Sequence, residues 1–129
     1  MKSDKEIFHL CDQVRETSFA LHNYLRNGLL EKVYENGLYN RLNKLGLKVE
    51  QQHPLSVSDE DGTVLGEFFA DLVFDDMRVI ELKACKRLGD EHVAQLIGYL
   101  RSSGMEHGLL IIFGSDKLEI RKFALSRSQ

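Results

Sequence analysis

The chain has 129 residues, enough for one domain that buries a core without disulfide or metal staples. Hydrophobic residues make up 43% and charged residues 29%, which excludes a disordered chain, and no apolar run reaches the length of a membrane span. The net charge of −3 provides no basic field and so disfavours a module that only binds nucleic acid; it disfavours a metal-dependent nuclease less, because bound cations bring their own positive charge to the phosphate.

Ser3-Asp4-Lys5-Glu6 reads as a capping box opening a helix. Ile7, Leu10, Cys11, Val14, Leu21 and Leu25 continue it at helical spacing to about Arg26. This N-terminal stretch holds no apolar segment of signal-peptide type, so a cytoplasmic location is expected. Asn27-Gly28 breaks or kinks the helix. A second helix then carries Leu30, Val33, Tyr34, Gly37, Leu38, Leu42 and Leu45 on one face and stops at Gly46. Glu31 flanks the Tyr34/Leu38 side of that stripe. The helix dipole favours a glutamate near an N-terminus, but Glu35, one turn on, is a like charge and gives it no ion-pair partner. Glu31 is therefore a candidate extra carboxylate for a site.

From Leu47 the period changes to two. Leu47–Glu50 starts a strand, Pro54 marks an edge position or a break, and Leu55–Ser58 continues to the turn Asp59-Glu60-Asp61-Gly62. Strands follow over Val64–Phe74 and Arg78–Cys85. A third helix, capped by Asp90, ends at Ser102-Ser103-Gly104. His107–Phe113 is almost wholly apolar, as expected of a central strand covered on both faces. Gly114-Ser115-Asp116 turns into a last strand, Lys117–Phe123, followed by a polar tail. The order ααβββαββ predicts an α/β fold, a mixed sheet with helices on its faces. The two cysteines, Cys11 in a helix and Cys85 in a strand, lack CxxC spacing and are expected as buried reduced thiols, and the five histidines form no HxxxH pair.

Asp71, Glu81 and Lys83 interrupt otherwise apolar strands, where an ionised group is costly unless paired or bound to a metal. Side chains alternate along a strand, so Glu81 and Lys83 share a face. With a three-residue loop, Asp75-Asp76-Met77, Asp71 faces Glu81, Ala70 faces Leu82 and Leu72 faces Ile80, leaving one acidic face with a lysine and one wholly apolar face. A two-residue loop would scramble both faces, so apolar matching favours three. Two carboxylates suit a hard octahedral ion such as Mg²⁺ or Mn²⁺, and Lys83 can orient a water or neutralise charge on a phosphoryl group. An ordinary exposed Glu–Lys face explains the spacing equally well on its own. In the third helix His92, Gln95 and Tyr99 form a polar row beside the apolar stripe Val93, Leu96, Ile97 and Leu100; periodicity alone reads that row as a solvated face with a partly packed Tyr99.

Taken together, Gly28-x-x-Glu31-x-x-Tyr34, Asp71…Glu81-x-Lys83 and Gln95-x-x-x-Tyr99 resemble the GxxExxY family of the PD-(D/E)xK nuclease-like superfamily, in the expected order and over nearly the whole chain. Ala70 stands where the superfamily name has proline, and Arg26-Asn27-Gly28 where glycine-proline-glycine is frequent. The resemblance implies a single domain over residues 1–129, with a restriction-endonuclease-like αβββαβ core, an additional N-terminal helix and a C-terminal strand. It implies Asp71 and Glu81 as metal ligands joined by Glu31, Lys83 as the catalytic lysine, and Gln95 and Tyr99, with His92 beside them, lining the site. The expected activity is Mg²⁺- or Mn²⁺-dependent hydrolysis of phosphodiester bonds in DNA or RNA. The competing expectation is a non-catalytic nuclease-like module for binding or oligomerisation. A nucleic acid is the expected partner and a membrane is not; a domain this small does not easily encircle a duplex, which leaves a homodimer open.

Overall fold

The computed structural model describes residues 4–76 and 78–125, the side chains of residues 4–11 excepted. The capping residue Ser3, the loop residue Met77, the Cys11 thiol, the Ile7 and Leu10 side chains and the tail from residue 126 lie outside the described residues. The elements run α1 (Asp4–Leu25), α2 (Glu31–Lys44), β1 (Val49–Ser58), β2 (Val64–Phe74), β3 (Arg78–Lys83), α3 (Asp90–Ser103), β4 (His107–Ile112) and β5 (Glu119–Ala124). This is the expected order. No helix among the described residues is long and apolar enough to cross a membrane.

The five strands form one sheet in the order β1-β2-β3-β4-β5, with β3 and β4 parallel and the other pairs antiparallel. A parallel pair needs a crossover, and α3 provides it between β3 and β4. The apolar period of each helix then decides its face of the sheet. Val14 and Leu21 of α1 and Tyr34, Leu38 and Leu42 of α2 pack with Leu72, Phe74, Ile80, Leu82, Leu109, Ile111 and Phe113 on one side. Leu96 and Leu100 of α3 pack with Leu55, Ala70, Val73, Val79 and Leu110 on the other. Both faces of β4 are thereby covered, as its unbroken apolar sequence requires. Pro54 lies within β1, an edge strand of the sheet, so its missing N–H leaves no gap in a central ladder.

Several expectations are corrected. Leu30, Val33 and Leu45 of the second helix's apolar face are exposed; the buried stripe is Tyr34, Glu35, Leu38 and Leu42. The N-cap of α3 is Gly89, and Asp90 is the first helical residue, placed to complement the helix dipole. β3 ends at Lys83, which puts Cys85 in the following loop, partly exposed, its thiol donating to the Arg87 carbonyl at 3.3 Å.

Candidate functional site

The β2–β3 register pairs Leu72 with Ile80, Val73 with Val79 and Phe74 with Arg78, so the connecting loop has three residues, as apolar matching predicts. Among the described residues of this loop, Asp75 (54°) and Asp76 (58°) have positive φ, and aspartate tolerates the left-handed region. Continuing the register brings Asp71 opposite Glu81, but the main-chain ladder stops at Leu72/Ile80. Side chains replace it. The Asp71 N–H donates to Glu81 Oε2 at 2.8 Å, and the Leu82 N–H donates to Asp71 Oδ2 at 2.9 Å.

The ladder is also open on the other edge of β2. β1 pairs Gln51 with Leu72 and His53 with Ala70 but skips the Gln52/Asp71 pair between them, and Gln52 has φ 50°. The consequence shows in the faces. Val49 packs under α1 and α2 whereas Leu55, six residues on, packs under α3; Leu72 and Ala70, two apart, divide the same way. An unbroken strand would place each pair on one face. Both strands therefore reverse faces at Gln52/Asp71, and the expectation that Ala70 shares the apolar face of Leu72 and Leu82 is overturned. Glu81 and Lys83 do keep a face opposite to Ile80 and Leu82, both of which lie in the core beneath α1 and α2.

The electrostatics follow from this geometry. Glu81 is only 7% exposed. Burial, and then the neighbouring Asp71, pushes its pKa up to about 8. Burial also raises Asp71, against the Leu82 N–H that accompanies it. Glu31, at the start of α2, is raised by burial and by Asp71, while Lys83 and the Ala84 N–H act in the opposite direction. Tyr99 is raised by burial and then by Glu81. Asp71, Glu81, Lys83, Glu31 and Tyr99 thus form one interacting group drawn from β2, β3, α2 and α3.

The remaining expected residues are placed differently. Tyr99 stacks on Phe68 of β2, ring centroids 3.7 Å apart at 15°, which ties α3 to the strand that carries Asp71. Gln95 is on α3 but exposed. His92 closes the start of α3: its Nδ1 accepts from the Gly89 N–H at 3.1 Å and its own N–H donates to the Gly89 carbonyl at 3.1 Å. The reading of a solvated helix face with a partly packed Tyr99 therefore describes both Gln95 and Tyr99.

The Gly28-x-x-Glu31-x-x-Tyr34 segment is explained by its hydrogen bonds. Gly28 turns the chain with φ 105° between the two helices. The Tyr34 hydroxyl donates to the Arg26 carbonyl at 2.6 Å and accepts from the Leu29 N–H at 3.1 Å, closing the loop that delivers Glu31. Its ring stacks on Phe113 at 4.6 Å, and the Phe113 N–H donates to the Lys83 carbonyl at 2.8 Å. Tyr34 thereby links the backbone leading to Glu31 with the backbone of Lys83.

The buried Glu81 and half-buried Asp71, two carboxylates with raised pKa values, have the donor chemistry for a hard dication, which takes one or two protein carboxylates and fills its other positions with water or phosphate. Among the described residues, no three histidine, cysteine, aspartate or glutamate groups stand together as a metal cage. Glu31 interacts electrostatically with Asp71 and Lys83 at the edge of the pair. Reading the sequence missed Glu35, Gln51, Gln52 and Phe68. The adjacent pair Gln51-Gln52 inside a strand pattern was the one available signal.

A family model of the PD-(D/E)XK nuclease superfamily matches residues 9–123. Among solved structures, the crystal structure of SSO0001 is similar with a TM-score of 0.54 and 20% sequence identity, over 75% of this chain and 50% of that one. The likeness shows the fold, a restriction-endonuclease-like mixed sheet with α1 and β5 added to the αβββαβ core, and the chain spans half the length of that protein. No curated protein matches the chain in sequence.

Proposed function

From the chain's membership, since it belongs to the PD-(D/E)XK nuclease superfamily, we propose that it hydrolyses phosphodiester bonds in DNA or RNA with Mg²⁺ or Mn²⁺. The observation that carries this reading is the pairing of half-buried Asp71 with buried Glu81 across an opened ladder, with Lys83 on the same face as Glu81. Asp71 and Glu81 would hold the ion, joined by Glu31 as an additional carboxylate. When bound, the ion would polarise the scissile phosphate and acidify a water. Lys83 would orient that water or neutralise charge on the phosphoryl oxygens. Tyr99, braced on Phe68, would border the substrate, and Gln95 and His92 on the same helix would extend that border. The Gly28, Glu31 and Tyr34 motif supports the GxxExxY branch of the superfamily. A cytoplasmic setting and a homodimer belong to the same proposal.

The test is Mn²⁺ calorimetry alongside cleavage of single-stranded, duplex and branched substrates. Wild type should bind and cleave, Asp71→Asn and Glu81→Gln should do neither, and Lys83→Met should bind without cleaving. Cleavage that persists in all three variants comes from a contaminant. Absence of both binding and cleavage in wild type removes the reading.

One observation favours the alternative, a non-catalytic module for binding or oligomerisation. Each carboxylate of the pair already accepts a main-chain N–H, so the pair can serve as a structural clasp. In that case Asp71→Asn lowers the melting temperature by a similar amount with and without Mn²⁺.

A further inference from the structure

We propose that Glu35 is a positioning residue for Asp71: by gathering Gln51 and Gln52 onto one buried carboxylate, it holds open the break in the sheet where Asp71 sits. Successive strand side chains point to opposite faces, yet both glutamines reach Glu35. Gln51 Nε2 donates to Glu35 Oε2 at 2.8 Å, and Gln52 Nε2 donates to Oε1 and Oε2 at 3.1 and 3.2 Å. Only the left-handed turn at Gln52, φ 50°, lets neighbours converge in this way. That conformation is uncommon for a residue other than glycine, asparagine or aspartate, so something must hold it.

Glu35 fits that task. It is 2% exposed, on the inner side of α2, and Lys32 Nζ completes its shell at 2.9 Å. A buried carboxylate must collect donors, and the two glutamine amides are the donors it collects from β1. The position of the turn is what matters. Gln52 lies opposite Asp71, between the paired Gln51/Leu72 and His53/Ala70, so the turn removes Asp71 from the β1 ladder. Asp71 is thereby freed to exchange its bonds with Glu81 and Leu82. A regular pair at this point would draw Asp71 into the ladder and rotate its carboxylate away from Glu81.

The inference deepens the metal-site reading of Asp71 and Glu81 and rests on it only for the consequence in metal affinity. The Asp71 and Leu82 amides, bonded to Glu81 and Asp71, report the geometry without any metal. Hydrogen exchange by NMR on the apo protein should show both exchanging about tenfold faster or more in Glu35→Ala, with the β4 amides of Leu109–Ile112 unchanged. Adding Gln52→Gly to that variant should restore protection, because glycine adopts the turn unaided. Should Glu35→Ala fail to fold, position 52 is exposed and supports the same comparison alone: Gln52→Val, a β-branched residue that resists positive φ, should loosen the two amides while Gln52→Gly should not. Mn²⁺ affinity should follow the same order, weakened about tenfold in Glu35→Ala and Gln52→Val and recovered with glycine. Equal protection in Gln52→Val and Gln52→Gly, or a loss in Glu35→Ala that glycine does not rescue, overturns the proposal. The expected amide pattern in a wild-type protein that binds no Mn²⁺ supports the positioning role and overturns the metal reading alone.

Discussion

The carboxylate of Glu81 accepts the main-chain N–H of Asp71, and the carboxylate of Asp71 accepts the N–H of the residue after Glu81. Two side chains thus stand where two rungs of an antiparallel ladder would run. The exchange satisfies the main chain, but it places two acids side by side in a buried setting, and Glu81 takes up the strain by holding its proton to about pH 8. Fold and electrostatics are therefore linked at one point: the break that lets the carboxylates in is also what raises their pKa values.

The stability of the metal-free protein should fall as pH rises from about 5 to 8.5. Glu81 has a folded pKa of about 8 against an ordinary 4.5, so the native state binds this proton more tightly than the unfolded chain. Its contribution is fully present below the unfolded value and is lost as pH climbs through the folded one. Asp71, raised in the same direction, adds to the slope. Calorimetric melting across this range should show the fall in wild type, with Glu81→Gln flattening it and melting a few degrees higher at pH 8.5.

Metal binding should release that proton. An ion that binds the ionised pair must displace the proton held by Glu81. Below pH 8 the apparent Mn²⁺ affinity should weaken by up to about tenfold per pH unit, and the heat of binding at pH 7 should change with the ionisation enthalpy of the buffer. A heat independent of buffer would show that Glu81 is already ionised.

Much of this site is legible in the sequence because apolar matching constrains a hairpin. Only a three-residue loop lets Leu72 meet Ile80, and that register carries Asp71 to Glu81. The order of the elements follows equally from period and turn residues. The reversal of faces at Gln52 does not, since glutamine carries no signal for positive φ. Its cause lies 17 residues away in Glu35, which a helical pattern reads as polar and therefore outward. His92 shows the same limit: a polar residue one turn into a helix reads as facing solvent or a site, while its ring is spent on Gly89.

Tyr34→Phe should lower stability by about 1–3 kcal/mol, measured by urea unfolding. The ring and its stack on Phe113 remain, so the change isolates the hydroxyl that joins Arg26 to Leu29. Losing it leaves a carbonyl and an N–H of an exposed loop without their part-buried hydrogen bonds. The loop delivers Glu31, so Mn²⁺ affinity should also drop, by less than the loss in Asp71→Asn. A stability loss with unchanged affinity would show that Glu31 is held by α2 alone.

Gly114→Ala should disable Lys83 without touching it. A β-carbon at this position would meet the carbonyl oxygens of Ala84 and Cys85 at 2.2 Å, a contact that only main-chain movement relieves. On one side the residue before Gly114, Phe113, is tied through its N–H to the Lys83 carbonyl. On the other, the Ser115 carbonyl is bonded to Nε2 of the buried His22 at 2.9 Å. With Gly114 held from both sides, the segment that yields is the loop after β3, which begins at Ala84, next to Lys83. The substitution should destabilise by roughly 2–4 kcal/mol, in the range of a forced backbone shift in a packed region. Cleavage should fall by about 10²-fold or more, as when a charge-stabilising group is displaced, while Mn²⁺ affinity, set by Asp71 and Glu81, changes by less than threefold. Equal losses in affinity and cleavage would place the displacement at the carboxylate pair and not at the lysine.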